Sequence, residues 1–358
     1  MENRTIPALD LVRFAAALMV MWFHLAYASW ARPGSVQAVI SDGSVHLADL
    51  DPFAAWGWVG VELFFVLSGF VICYSAAGKT AGQFAIGRLL RLYPAVWICA
   101  PITVAVLLAI GTSNVVGPLL RTMALSPWEP WVDGVYWTLG IEMAFYVLIW
   151  LLLLCGGFRW IQWALIAIGL PSAAIWYLTS VGAFDPGVIP YRTFQLSLLR
   201  HGCHFALGGL MFLNVDRGHN IARLAGCAVF AGACLIEIYH VSESAHLTAA
   251  IVWSLAVLCV GLGARFNDQV ARYIPAGPAR MMGLATYPLY LIHDIPGTAI
   301  LRVTRDLPDY LALALAMSMV TALSFCLLWP ERWLRTALRR ALAAFSKAAP
   351  IIPAPAPK

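Results

Sequence analysis

The chain has 358 residues, 61% hydrophobic and 11% charged, with a mean hydropathy of +0.78 and a formal net charge of +5. A soluble domain carries about 25% charged residues, so the composition excludes one and predicts an all-α, polytopic integral membrane protein whose first partner is the lipid bilayer. The positive charge does not call for nucleic acid, because basic loops on one side of a membrane account for it.

Ten runs are long and apolar enough to cross a bilayer: residues 6–28, 53–76, 93–111, 135–154, 160–179, 196–214, 222–239, 245–263, 285–301 and 309–329. No internal repeat is visible. The organisation expected is one transmembrane domain over 3–329, then a basic, Pro-rich cytoplasmic tail over 330–358. The "AYA" at 26–28 imitates a signal-peptidase site. The run before it contains Asp10 and Arg13, so 6–28 reads as a retained helix.

Lys and Arg set the orientation. One set of loops carries Arg4, Lys79, Arg88, Arg91, Arg159, Arg217, Arg223, Arg265, Arg272, Arg280 and the basic residues after Pro330. The other carries only Arg32, Arg121, Arg192, Arg200, Arg302 and Arg305. This predicts both termini in the cytoplasm of a bacterial-type inner membrane. The loops at 29–52 and 112–134 then face outward and could receive a polar substrate.

The first span holds Arg13 and His24, 11 residues apart. At 100° per residue they fall about 20° from full register, with an axial gap of about 16 Å. Asp10 lies on the same side. Ala17 and Val20 between them are small and leave room beside the stripe. An Arg or Asp at the bilayer centre costs roughly 2.5–3.5 kcal/mol even on the lenient insertion scale, so this stripe needs a purpose beyond helix packing. His24 suits a general base, since an imidazole titrates near pH 6.5 unperturbed.

The second span contains "GVELFFVLSGF". Glu62 there needs a cationic or hydrogen-bonding partner, with Arg13 a candidate, and Ser68 lies mid-membrane beside Gly69. Arg88 and Arg91 share a helix face ahead of Pro94. They suit either membrane anchoring or a phosphate clamp. Glu142 and Tyr146 are i, i+4 partners in the fourth span. Tyr290, His293 and Asp294 meet on one side of the ninth, where Asp294 could orient an imidazole. His201 and His204 have metal-ligand spacing. No partner pair for them is evident, so no metal is assigned. The eight cysteines read as small buried hydrophobes.

Five motifs together resemble the acyltransferase 3 family of membrane acyltransferases. They are Arg13 and His24 in the first helix, "GVELFFVLSGF" at 60–70, Arg88-x-x-Arg91-x-x-Pro94, "WTLGIEMAFY" at 137–146 and "YPLYLIH" at 287–293. Glu62 stands where the family usually has Asp, and Pro288 where it has Ser. The stand-alone members, which acylate glycans, Nod factors or macrolide sugars, are the most similar. The resemblance implies an O-acyltransferase. Its donor would be acetyl-CoA or another acyl-CoA, used as a substrate with no bound cofactor. Its acceptor would be a sugar or glycan hydroxyl, possibly lipid-linked. His24 would be the catalytic base, with a transient acyl-His24 as a variant. Arg13 and Glu142 would assist catalysis. Asp10, Arg88, Arg91, Glu62, Ser68, Tyr146, Tyr290 and His293 would bind substrate. The rival reading is a secondary transporter or flippase using the same buried charges as a relay.

Overall fold

The computed structural model describes residues 6–242 and 244–348. Arg4 and the Pro-rich end at 349–358 lie outside the described residues. Among those described there are only helices and loops. In chain order the helices are α1 (Pro7–Phe23), α2 (Ser29–Ala31), α3 (Val36–Ser41), α4 (Asp51–Ala54), α5 (Val59–Ala76), α6 (Ala81–Ala109), α7 (Val116–Met123), α8 (Trp137–Leu154) and α9 (Ile161–Ser180). They continue with α10 (Tyr191–Leu196), α11 (Gly202–Asp216), α12 (Ile221–Val241), α13 (His246–Arg265), α14 (Asn267–Tyr273), α15 (Ala276–Ile292), α16 (Ile295–Val303), α17 (Asp309–Cys326) and α18 (Leu328–Ala348).

Eight helical stretches in the described residues are long and apolar enough to span a bilayer. The two other expected spans, 196–214 and 285–301, are interrupted or short helices. Residues 191–216 break between α10 and α11. Residues 276–303 break at His293–Asp294, where α15 gives way to α16. Pro296 has no N–H to donate to the Ile292 carbonyl four residues back, so α15 cannot continue through it. The freed N–H of Ile295 donates to Asp133 Oδ2 at 3.3 Å. Irregular backbone at membrane depth survives only with such a protein partner.

The core is built around α1, α5, α11 and α15, with α1 packed on α15 and α5, and α5 on α11. Without a hydrophobic force between lipid-embedded helices, close approach depends on small residues. A methyl added to Gly208 on α11 would collide with the Val66 carbonyl oxygen, and one on Gly69 with that of Phe205. On α1, Ala16 and Val20 lie against Gly60 of α5. The small residues of the first span therefore admit a neighbouring helix and do not leave an open groove.

Not every expected loop charge is free. Arg200 is buried against Glu237, and Arg223 is buried among Asn214 and the Gly218 carbonyl. α18 extends past Pro330 and packs on α6, so the basic stretch there is a docked helix.

Overpacking typically costs about 1–3 kcal/mol. Gly208→Ala should lower thermal stability in detergent by that order. Gly82→Ala, whose added methyl meets nothing within 4 Å, should leave it unchanged.

Candidate active site

α1 does not end as a plain α-helix. His24–Ala28 form a π-helical segment, and two of its carbonyls accept from side chains. Ser29 Oγ donates to the Leu25 carbonyl at 2.7 Å, and Trp30 Nε1 to that of Ala26 at 2.8 Å. Such π segments favour functional sites because they re-aim one residue. Here that residue is His24, half-buried at the start of the segment.

His24 Nδ1 lies 2.7 Å from His293 Nε2, with the two rings stacked. His293 is fully buried, and its Nδ1 lies 2.8 Å from the Tyr290 carbonyl. A carbonyl only accepts, so His293 Nδ1 carries the proton. In a neutral His293, Nε2 is then an acceptor, and His24 Nδ1–H donates to it. The chain leaves His24 Nε2 as an unprotonated nitrogen with no hydrogen-bond partner among the described residues. A base needs such an atom. The orienting group expected for an imidazole was Asp294. The structure gives that role to the Tyr290 carbonyl.

Asp294 serves another cluster. Gln37 Nε2 donates to Asp294 Oδ2 at 2.6 Å. Asp133 abuts Asp294 and accepts from the backbone N–H groups of Val135 and Ile295. The 29–52 and 112–134 loops thus fold over the His24 end and are tied to the break between α15 and α16.

The other polar residues sit toward the Arg13 end. Tyr146 donates to Glu142 Oε1 at 2.6 Å, and Ser68 donates to the same oxygen at 3.2 Å. Arg13, Ser68, Glu142, Tyr287 and Tyr290 line a narrow cavity of about 60 Å³. A second cavity of about 110 Å³ shares Arg13, Ser68 and Glu142 and adds Arg88, Arg91 and Tyr146. A third, of about 240 Å³, shares Arg13 and Arg91 and adds Asp10 and Arg280. Gly283 stands against the Asp10 carboxylate. A wider one, about 650 Å³, is walled by Lys79, Phe84 and Arg88. Shared walls at Arg13, Arg88 and Arg91 make these spaces adjoin one another, from Tyr290 to the one lined by Lys79, Arg88 and Asp216. The Arg88 guanidinium lies over the Phe84 and Tyr146 rings and that of Arg91 over Tyr287, which fixes both cations along the passage.

The sequence-selected residues thus separate into three groups. Asp10, Arg13, Ser68, Arg88, Arg91, Glu142 and Tyr146 share the basic passage. His24 and His293 lie beyond it, with Tyr290 as the wall between: its hydroxyl bonds with Thr138 at 3.1 Å and its ring sits 5.6 Å from that of His293. Glu142 therefore belongs with Arg13 and Ser68 and is not a support for His24. Glu62 leaves the passage altogether. Its partners are His201 and His204, at 3.2 and 3.4 Å, and not Arg13. Sequence reasoning missed Glu237, which joins that second cluster from α12, and Asp133. Both needed tertiary pairing to be noticed. The isolated acid inside the apolar run of α12 was the signal available for Glu237.

A membrane-embedded bundle with a hydrogen-bonded histidine pair at one end and a basic passage at the other defines the class of molecule. A family model described as an acyltransferase domain matches residues 6–329, and the chain belongs to the acyltransferase 3 family. The resemblance read from the five motifs is borne out. The chain is 24% identical over 336 residues to the peptidoglycan O-acetyltransferase OatA of Listeria monocytogenes, covering 82% of this chain and 49% of that protein. It is 27% identical over 202 residues to Nodulation protein 10 of Rhizobium leguminosarum bv. viciae, covering 47% of this chain and 50% of that protein. The chain spans about half the length of the curated relatives it matches. No solved structure matches it.

The Asp133–Asp294 pair generates a pH prediction. Burial first, and then the neighbouring Asp294 charge, push the Asp133 carboxyl well above its ordinary value of 3.8. The folded protein keeps a proton there that the unfolded chain releases, so this contribution to stability is lost as pH rises through the raised value. Asp133→Asn needs no proton. Its stability relative to the parent protein should increase from pH 5 to pH 9 in thermal unfolding. A difference that stays flat or falls with pH would show the pair to be ionised throughout.

Proposed function

We propose that this chain is a membrane O-acyltransferase that moves an acyl group, acetyl in the simplest case, from an acyl-CoA to a hydroxyl of a sugar or glycan. The single observation that carries the proposal is the His24–His293–Tyr290 carbonyl chain, which leaves one imidazole nitrogen as base at the loop-covered end. The basic passage at the opposite end supports the donor assignment. Lys79, Arg88 and Arg91 along it supply the cations that diphosphate recognition requires. The relatives' names point to a glycan-type acceptor by similarity. Under the orientation drawn from basic loops, the donor enters from the cytoplasm and the acceptor, lipid-linked or not, meets His24 from outside. Both termini then lie in the cytoplasm, and the membrane is the inner one.

In this mechanism His24 Nε2 takes the proton of the acceptor hydroxyl as its oxygen attacks the thioester carbonyl. The tetrahedral adduct collapses with cleavage of the C–S bond, and the departing thiolate recovers the proton from His24. His293 shares the positive charge that develops on His24, because its Nε2 already accepts the Nδ1–H. Arg13 sits where the donor arm passes, and Glu142, held by Tyr146 and Ser68, balances its charge. The Tyr290 ring must turn aside for thioester and His24 to meet. A continuous proton relay across the bundle finds less support, since the charged groups fall into separate clusters.

General-base catalysis contributes about 10²–10⁴-fold in rate. His24→Gln should lose about that factor in acyl transfer to glycan while retaining donor binding. Transfer near the parent rate would place the base elsewhere.

Arg88→Gln together with Arg91→Gln should raise the Kd for acyl-CoA by about tenfold or more, at about 1.5–3 kcal/mol for a hydrogen bond to a charged group. It should also flatten the salt dependence of binding. An unchanged Kd and salt slope in a normally inserted protein would make the pair membrane anchors.

A further inference from the structure

Four side chains from three helices converge in a second polar cluster, apart from the passage. Glu62 comes from α5, His201 and His204 from the start of α11, and Glu237 from α12. All four are buried, three of them completely. One ligand atom from each lies within 4.8 Å of every other. His201 Nδ1 is 3.2 Å from Glu62 Oε2, and His204 Nε2 is 3.4 Å from both Glu62 Oε2 and Glu237 Oε2.

These separations carry a geometric message. Zinc binds imidazole nitrogen at about 2.0–2.1 Å and carboxylate oxygen at about 2.0–2.2 Å. In a tetrahedron the distance between ligands is about 1.63 times the bond, which gives about 3.3–3.6 Å. His204 Nε2 meets that edge with both carboxylates, at 3.4 Å, while His201 Nδ1 brackets it, 3.2 Å from Glu62 Oε2 and 3.7 Å from Glu237 Oε1. A hydrogen bond also explains the His201–Glu62 distance, but it does not explain the others. His204 Nε2 and Glu237 Oε2 face each other in no hydrogen-bond geometry and have no other hydrogen-bond partner. With the His204 proton on Nδ1, Nε2 and Glu237 Oε2 are two buried acceptors at one spot, and a cation between them would satisfy both.

The surroundings are those of a closed metal site. Arg200 Nε donates to the other Glu237 oxygen, Oε1, at 2.9 Å, leaving Oε2 to ligate. Cys203 Sγ is 3.5 Å from His204 Nδ1 and supplies the outer contact that fixes a ligating imidazole. Trp253 and Phe65 pack against the two rings. Two carboxylates opposite one arginine leave net negative charge for a divalent cation to neutralise.

We propose that Glu62, His201, His204 and Glu237 form a structural binding site for a divalent transition-metal ion, with zinc the best fit, which pins α5, α11 and α12 behind the catalytic passage. Two imidazoles and two carboxylates suit zinc by donor type as well as geometry. All four positions are filled by protein, so the ion holds the fold and does not activate water. Val61 and Phe65, on either side of Glu62, line the passage, which links the site to the shape of the donor cavity.

The test uses the full-length protein purified in detergent without chelator. Metal analysis should find about one equivalent of zinc or a similar divalent ion per chain. Protein stripped by chelator should lose thermal stability and recover it with one equivalent of zinc. Cobalt loaded in its place should give the intense visible bands of a tetrahedral site without thiolate charge transfer. Glu62→Gln combined with Glu237→Gln should abolish binding, whereas Cys203→Ser combined with Cys234→Ser, which removes the two buried thiols grouped with His204 beside the site, should retain it. Folded, monodisperse parent protein holding less than a tenth of an equivalent, both as isolated and after zinc loading, would overturn the proposal. So would thiolate charge transfer in the cobalt spectrum, or loss of metal in the double Ser variant, because either would move the site to the cysteines.

Discussion

A single hydrogen bond, 2.7 Å between His24 and His293, joins the two broken regions of the bundle. One partner sits where α1 turns into a π segment, and the other where α15 gives way to α16. Lipid supplies no water to satisfy backbone groups at such breaks. Each break is therefore surrounded by protein donors and acceptors: Ser29 and Trp30 at the first, Asp133 and Gln37 at the second. The same demand that closes the breaks also fixes the imidazole tautomers. The Tyr290 carbonyl decides where the His293 proton sits, and that proton decides which nitrogen of His24 stays free. Local backbone irregularity and the chemistry of the site are thus one constraint.

The remaining architecture keeps two polar regions apart. The passage around Arg13, Glu142, Arg88 and Arg91 opens at the basic end. The Glu62–His201–His204–Glu237 cluster is sealed on the other face of α5. That helix serves both because successive residues point in different directions: Val61, Phe64 and Ser68 toward the passage, Glu62 toward α11 and α12. Gly69 and Gly208 let α5 and α11 cross closely enough for the sealed cluster to form. The opposing needs of an open cavity and a dry core are met by one helix.

Much of this was legible in the sequence. Apolar length gave the spans, and the 11-residue spacing in α1 placed Arg13 and His24 on one stripe. Helical spacing also paired Glu142 with Tyr146. What stayed hidden depends on contacts across long separations. Nothing in the local pattern tells His24 that its partner is His293 and not Glu142, because that choice is set by how α1 packs on α15. Charge shows that Glu62 needs a cationic or hydrogen-bonding partner and makes Arg13 a candidate, but packing gives it two histidines. The breaks near His24 and Asp294 were also missed, because hydropathy is indifferent to whether a helix is α, π or interrupted. Proline at 296 was the visible trace of the second.

The central claim is that His24 is a neutral imidazole protonated on Nδ1 and free on Nε2. Nitrogen NMR of protein labelled at histidine reports this directly, with the His24 and His293 signals assigned by loss in His24→Gln and His293→Gln. The account predicts that both rings are neutral Nδ1–H tautomers at neutral pH. A His24 ring protonated on Nε2, or on both nitrogens, would contradict it.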